Sequence, residues 1–252
     1  CIACGDAGEH WADGIVADFE WFSAGQQQMA IMFSGLYQRL KEECSSKDER
    51  NLIVLLDEPE THMHPEVCRR FVGILDDTIK HFQTVGFVRG CQIVMATHSP
   101  FIIQCLSDYP SSIALTENDR GQITIKDFQN LQKLHLPKMQ VYSFNLIMYH
   151  VFHVPTVELH DELYGYLQAE SNCWYENIFD DWLIEKSKEI RKTKFWIQLK
   201  NGQVSKKRNV TLQQYVRNSI HHPENDKNPA YTQAELQQSI EQMLDIVEHL
   251  PL

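Results

Sequence analysis

Leu52-Ile53-Val54-Leu55-Leu56-Asp57-Glu58-Pro59-Glu60 is the stretch on which the reading of the fold turns. Five consecutive aliphatic residues predict a strand buried on both faces, as in the parallel sheet of an α/β protein. Asp57 and Glu58 then fall where the strand emerges at its carboxyl end, the edge at which such sheets bind ligands. Neighbouring side chains on a strand point in different directions, so one carboxylate can hold Mg²⁺ while the next orients a water. That division of labour suits a phosphate-bearing substrate. The plainer alternative is a surface turn opened by Asp-Glu-Pro.

Downstream, Thr61-His62-Met63-His64-Pro65-Glu66 leads into a predicted helix over roughly Pro65–His81, with Val67, Phe71, Ile74 and Leu75 on one face. His62 and His64 raise a metal site as one option, although the adjacent Pro65 favours a structured loop. A second apolar run, Gln92-Ile93-Val94-Met95-Ala96-Thr97-His98-Ser99-Pro100, ends in a polar turn and feeds a short helix over Phe101–Leu106. Two strands joined by one helix make a βαβ unit with parallel pairing, which brings His98 to the same edge as Asp57 and Glu58. Upstream, Ser23-Ala24-Gly25-Gln26 opens a long helical run reaching Leu40. Ser23 is an N-cap residue, and Gly25 lets backbone or ligand approach closely. A helix N-terminus of this kind offers unpaired N–H groups to an anion.

The chain of 252 residues fits one large domain or two small ones, with 43% hydrophobic residues and no apolar run long enough to span a membrane. No secretion leader opens it, and seven irregularly spaced cysteines suit a reducing, cytoplasmic setting. Cys1 and Cys4 form a lone CxxC without the second pair that a zinc ribbon needs. The chain starts on Cys1 and not Met, which suggests a further N-terminal part. Its net charge of −11 is uneven: nine basic residues between Lys186 and Arg208 face the single acid Glu189. That segment is +8 and leaves −19 elsewhere, so it is a candidate nucleic-acid surface, or a solvated helix and hairpin.

Residues 112–125 read as a β-hairpin, and a boundary is expected near 135–140. This gives an α/β part over 1–135 and a mostly helical part over 136–252. In the second, helices are predicted at 156–170, 172–190, 211–221 and 231–249, with a hairpin at Asn201-Gly202. Thr232 and Glu235 are spaced as a capping box, and Leu236, Ile240, Met243, Leu244 and Val247 form one stripe.

Taken in order, Ser23-Ala24-Gly25-Gln26, then Leu-Ile-Val-Leu-Leu-Asp-Glu-Pro-Glu, then Val-Met-Ala-Thr-His-Ser-Pro resemble the second half of an ABC-type ATPase head. Within that superfamily they are similar to the branch of SMC, RecF and OLD-type proteins. The resemblance covers about residues 15–115. It implies the C-terminal lobe of such a head, a parallel sheet with flanking helices, and ATP and Mg²⁺ as cofactors. By the same resemblance Ser23, Ala24, Gly25 and Gln26 form the signature that contacts ATP on a facing protomer, in a head-to-tail homo-oligomer. Asp57 matches the Walker B carboxylate that supports Mg²⁺, Glu58 the general base, and His98 the switch histidine. His62 and His64 fall in the D-loop. These roles agree with what phosphoryl transfer demands, namely positioned donors and balanced charge.

One departure stands out. No Gly-x-x-x-x-Gly-Lys-[Ser/Thr] loop occurs in these residues, so this chain alone is expected to bind ATP poorly and to turn none over. In the family that loop precedes the signature. Farther on, Phe152–Leu167 and Tyr215–Asn225 resemble stretches of PtuA-like antiphage-defence ATPases of Septu and retron systems, which implies an HNH nuclease partner. Arg217 and His222 also have the Arg-x4-His spacing of HEPN ribonucleases. They are therefore either nuclease residues or groups that satisfy the end of a helix before Pro223. An ATP-gated ribonuclease of the anticodon-nuclease kind and a RecF- or SMC-like DNA-repair ATPase are the rival readings.

Overall fold

The computed structural model describes residues 23–43, 50–86, 88–128, 131–139 and 141–250. The chain divides into two compact units, Cys1–Pro110 and Ser111–Leu252. The division falls earlier than the break in composition near 135–140, so the hairpin after Ser112 goes with the second unit. Cys1 and Cys4 lie outside the described residues, as does most of the polar loop that precedes Leu52.

In the first unit α1 (Ala24–Glu43) is followed by β1 (Arg50–Asp57), α2 (Pro65–Thr84), β2 (Val88–Ala96) and α3 (Pro100–Cys105), which ends in a 3-10 turn at Leu106–Asp108. β1 and β2 are parallel and in register from Asn51 opposite Gly90 to Asp57 opposite Ala96. The expected βαβ unit is present, with α2 as its crossover. Pro65 opens α2 without forfeiting a helical hydrogen bond, because the first-turn N–H groups have no intrahelical acceptor. Its buried stripe is Cys68, Phe71, Val72, Leu75, Ile79 and Phe82. This is rotated from the predicted face, and Ile74 is left exposed. The rotation follows from where the core lies: Met32, Phe33 and Leu36 of α1 and Leu56, Cys91 and Met95 of the strands all pack on that stripe.

Among the described residues the strand is covered on one face only. Alternation sends Val54 and Leu56 towards the helices, whereas Ile53 and Leu55 point the other way and are 64% and 74% exposed. Val94, opposite Leu55, is 50% exposed on the same face. The apolar run encodes a two-sided strand, but among the described residues helices cover only one side.

The second unit begins with β3 (Ile113–Asp119) and β4 (Gln122–Phe128), an antiparallel hairpin turned by Arg120-Gly121, both at positive φ. After a 3-10 turn at Leu131–Leu134 come α4 (Phe144–His150), α5 (Val157–Ser171), α6 (Glu176–Lys186), β5 (Lys194–Lys200), β6 (Gln203–Val210), α7 (Leu212–His221) and α8 (Gln233–His249). Ser143, Thr156 and Thr211 each cap the helix that follows by accepting a backbone N–H, as N-cap hydroxyls do. Thr232 and Glu235 form the reciprocal capping box of α8. The Asn201-Gly202 turn has positive φ at both positions, the condition of a tight two-residue hairpin.

Leu159, Leu163, Leu167, Phe179, Leu183, Val216, Ile240 and Met243 form the centre of one helical core. The buried stripe of α8 is Leu236, Ser239, Ile240, Met243, Ile246 and Val247, so Ile246 takes the central place predicted for Leu244. The second hairpin is fastened by Trp196, whose ring meets Tyr215 edge-on at 5.6 Å. Asn225 and Asn228 bind it from below, each donating to the Ile197 carbonyl at 2.8 and 2.9 Å.

Candidate nucleotide-handling site

The parallel register of β1 and β2 decides which side chains meet at the carboxyl edge. Asp57 pairs with Ala96, and the Glu58 N–H donates to the Ala96 carbonyl at 2.9 Å. The chain turns immediately afterwards, and Glu58 is held at φ 42°, a conformation that a side-chain-bearing residue adopts at a cost. Two donors from Thr61, its N–H at 3.1 Å and its hydroxyl at 2.8 Å, bind the Glu58 carbonyl and brace that turn. The Glu58 carboxylate lies with Oε1 3.3 Å from His98 Nε2, and both side chains are exposed. A carboxylate and an imidazole from two different strand ends are thus brought together at a solvent-facing edge, one residue past the exposed Asp57 that ends β1.

Glu60, the last residue of the opening stretch, clamps this arrangement. Its Oε1 accepts the Thr97 hydroxyl at 2.6 Å and the His98 N–H at 2.7 Å. Thr97 Oγ1 in turn accepts the N–H of Ser99 at 3.0 Å. The turn carrying His98 is therefore tied to the turn carrying Glu58 by one carboxylate. Sequence reasoning did not single out Glu60 or Thr97. The only available signal was an acidic residue two places after the catalytic candidate, facing a threonine one place before the histidine.

Ser23 and Gln26, two of the residues read as a signature in the sequence, cap α1. Ser23 Oγ accepts the Gln26 N–H at 3.4 Å, and the Gln26 side chain accepts the Ser23 N–H at 2.9 Å, a reciprocal capping box. Gly25 is buried against the loop after β1: a methyl group there would stand 2.4 Å from the His62 carbonyl oxygen and 3.2 Å from Met63 Cα. The absence of a side chain is what lets the start of α1 sit on the loop after β1, where His62 is at φ 64°. His64 acts as N-cap of α2, its Nδ1 accepting the Glu66 N–H at 3.2 Å. No group of three metal-ligating side chains occurs among the described residues. Mg²⁺ beside Asp57 needs no such cage, since this ion keeps several waters and takes one or two carboxylates together with phosphate oxygens. An exposed carboxylate at a strand end fits that requirement.

In the second unit Arg217 and His222 are engaged by different carboxylates. Arg217 lies 3.9 Å from Glu176 and over the Tyr164 ring, while His222 follows the end of α7 and pairs with Glu224 at 3.3 Å. The basic segment is also less continuous than its composition suggests. Lys192 is paired with Asp181, Lys194 with Glu235 and Arg208 with Glu176, and Lys186 lies over Trp182. Lys200, Lys206 and Lys207 remain exposed on the β5–β6 hairpin.

Residues 8–104 match the family model described as AAA domain, putative AbiEii toxin, Type IV TA system. The match covers Ser23–Gln26, both strands and the His98 turn, and supports a P-loop ATPase-type domain in this part of the chain. No curated protein matches the chain. No helix among the described residues is long and apolar enough to cross a membrane.

Proposed function

We propose that the chain is part of an ATP-binding and ATP-hydrolysing subunit of a prokaryotic antiphage-defence complex, in which the nucleotide state controls an associated nuclease. The observation that carries the ATPase reading is the Glu58–His98 pair at 3.3 Å beside Asp57. In this reading Asp57 holds Mg²⁺, which supplies charge neutralisation at the phosphates. Glu58 draws a proton from the attacking water, and His98 reports the γ-phosphate to the Glu58 carboxylate. The Ser23–Gln26 helix end serves ATP held by a second copy, so the working form is a head-to-tail pair. The family match, whose description includes a toxin system, supports a role in conflict between cell and phage. The resemblance of Phe152–Leu167 and Tyr215–Asn225 to PtuA-like ATPases supports an HNH nuclease as the controlled partner.

The test is made in cells that carry the complete gene with its neighbours. Glu58→Gln and His98→Ala are each expected to abolish protection against phage, with protein levels unchanged. Phage resistance that survives both substitutions would sink the reading.

A further inference from the structure

In the second unit a cleft of about 170 Å³ opens between the first turn of α7, one face of α8 and the segment that joins α6 to β5. Glu235, Gln238 and Gln242 of α8 line it, at the three- and four-residue spacing that puts side chains on one helix face. Gln213 enters from α7 and is fully buried. Its Nε2 donates to Gln242 Oε1 at 2.7 Å, while its Oε1 is shielded from solvent and has no hydrogen-bond partner among the described residues. Turning both amides over would only transfer the deficit to the nitrogen. Lys194 and Glu235 are bound to each other, and the same carboxylate closes the capping box of α8. Glu189 and Arg191, both exposed on the joining segment, also line the cleft and form no ion pair among the described residues. Ile190, buried in the helical core, anchors that segment between them. Arg191 gives one N–H to the Ile190 carbonyl at 2.6 Å, and a guanidinium has five, so most of its fork is left.

Three properties of the cleft decide what fits it. Size is the first: pockets for drug-sized ligands run to roughly 300–1,000 Å³, so this one excludes a nucleotide and suits a molecule the size of an amino acid. Charge is the second. Lys194 and Glu235 cancel, as do Glu189 and Arg191, so the lining is neutral while two opposite charges stay open to a ligand. A net anion or cation would leave one of them uncompensated, whereas a zwitterion meets both. The third is the orphan amide. Buried polar groups are rarely left unpaired, and Gln213 Oε1 needs an N–H or O–H donor. Leu212 is the one hydrocarbon side chain in the lining, which disfavours a large apolar ligand.

We propose that the cleft binds a free α-amino acid whose short side chain donates a hydrogen bond, of the amide or hydroxyl kind. The carboxylate takes two parallel N–H groups from Arg191, and the ammonium faces Glu189. The side-chain N–H or O–H reaches Gln213 Oε1. The last torsion of a glutamine is broad, so a small turn of the amide presents that oxygen to the ligand. A bound ligand ties the segment over 187–193 to α7 and α8, at the point where the chain enters β5. The site shares no residue with Asp57, Glu58 or His98, so it stands or falls independently of the ATPase reading.

The experiment titrates the full chain calorimetrically with each of the common free amino acids, with thermal melts alongside. Asparagine, glutamine, serine or threonine is expected to bind and to raise the Tm, because a ligand of the native state stabilises it. Analogues of that ligand lacking the carboxylate or the ammonium should bind about tenfold more weakly or worse. Glu189→Gln and Arg191→Ala should each weaken binding by about tenfold or more, the scale of a lost charge-assisted hydrogen bond. Both residues are exposed, so these variants should melt like the parent when no ligand is present. In Gln213→Met the preference for a donating side chain over alanine should vanish. Absence of binding for every amino acid at millimolar concentration overturns the proposal. So does binding that persists undiminished in Glu189→Gln and Arg191→Ala, or that the analogues short of one charge reproduce.

Discussion

Two residues set the geometry at the carboxyl edge of the β1–β2 sheet by opposite means. Gly25 does so by having no side chain, since a Cβ would stand 2.4 Å from the His62 carbonyl oxygen, and backbone on both sides has nowhere to retreat. Gly25→Ala is expected to destabilise the first unit by about 1–3 kcal/mol, the usual cost of overpacking, as read by urea unfolding. A variant as stable as the parent would show that the loop after β1 yields freely. Glu60 acts by what it binds. Glu60→Ala leaves the Thr97 hydroxyl and the His98 N–H without their acceptor, a loss of about 1–3 kcal/mol where such groups are shielded from water. The sharper readout is His98 itself. Its imidazole resonances should lose their response to Glu58→Gln once Glu60 is gone, and a response that survives would mean that another contact holds the turn. Asp57, Glu58 and His98 were legible because a strand ending in polar residues announces itself in one dimension. Glu60 was not legible, because its partners lie 37 and 38 residues away and only the register of two strands makes them neighbours.

At the scale of elements, caps and turns were read most directly. Thr232 and Glu235, the Asn201-Gly202 turn and the Pro65 helix start are local rules, and the backbone follows them. Thr232→Ala removes the acceptor for the Glu235 N–H and should cost about 1 kcal/mol, seen as a lowered Tm of the second unit. An unchanged Tm would assign the helix start to the packing of Leu236 and Ile240 instead. Phase was harder to read than existence. Ile74 was placed on the buried face of α2 and is exposed, because hydrophobic spacing gives a stripe only to within a residue or so.

For the molecule as a whole, charge and burial predict how stability responds to acid. Burial, reinforced by Lys133, lowers the His150 pKa from 6.5 to about 4, and burial lowers that of His160 as well. Both histidines are therefore neutral in the folded chain where the unfolded chain would already be protonated. Stability that is full above pH 6.5 is lost as pH falls towards 4. Denaturant midpoints measured between pH 7 and pH 4.5 should fall for the second unit, and His150→Phe should flatten the decline. A midpoint independent of pH over that window would contradict the buried neutral state.

The uncovered side of the β1–β2 sheet has a colloidal consequence. Ile53, Leu55 and Val94 form a flat apolar surface on a two-stranded sheet, and among the described residues β1 pairs only with β2, so its outer edge has no partner strand. Natural sheets blunt such edges with charge or proline, because an unpaired apolar strand templates the addition of another. In dilute solution this chain should bind an apolar dye such as ANS and self-associate increasingly with concentration. Replacing Ile53 and Leu55 together by Thr and Lys should suppress both, while β1 and α2 stay folded because neither residue faces the helices. Dye binding and association unchanged in that double variant would place the sticky surface elsewhere.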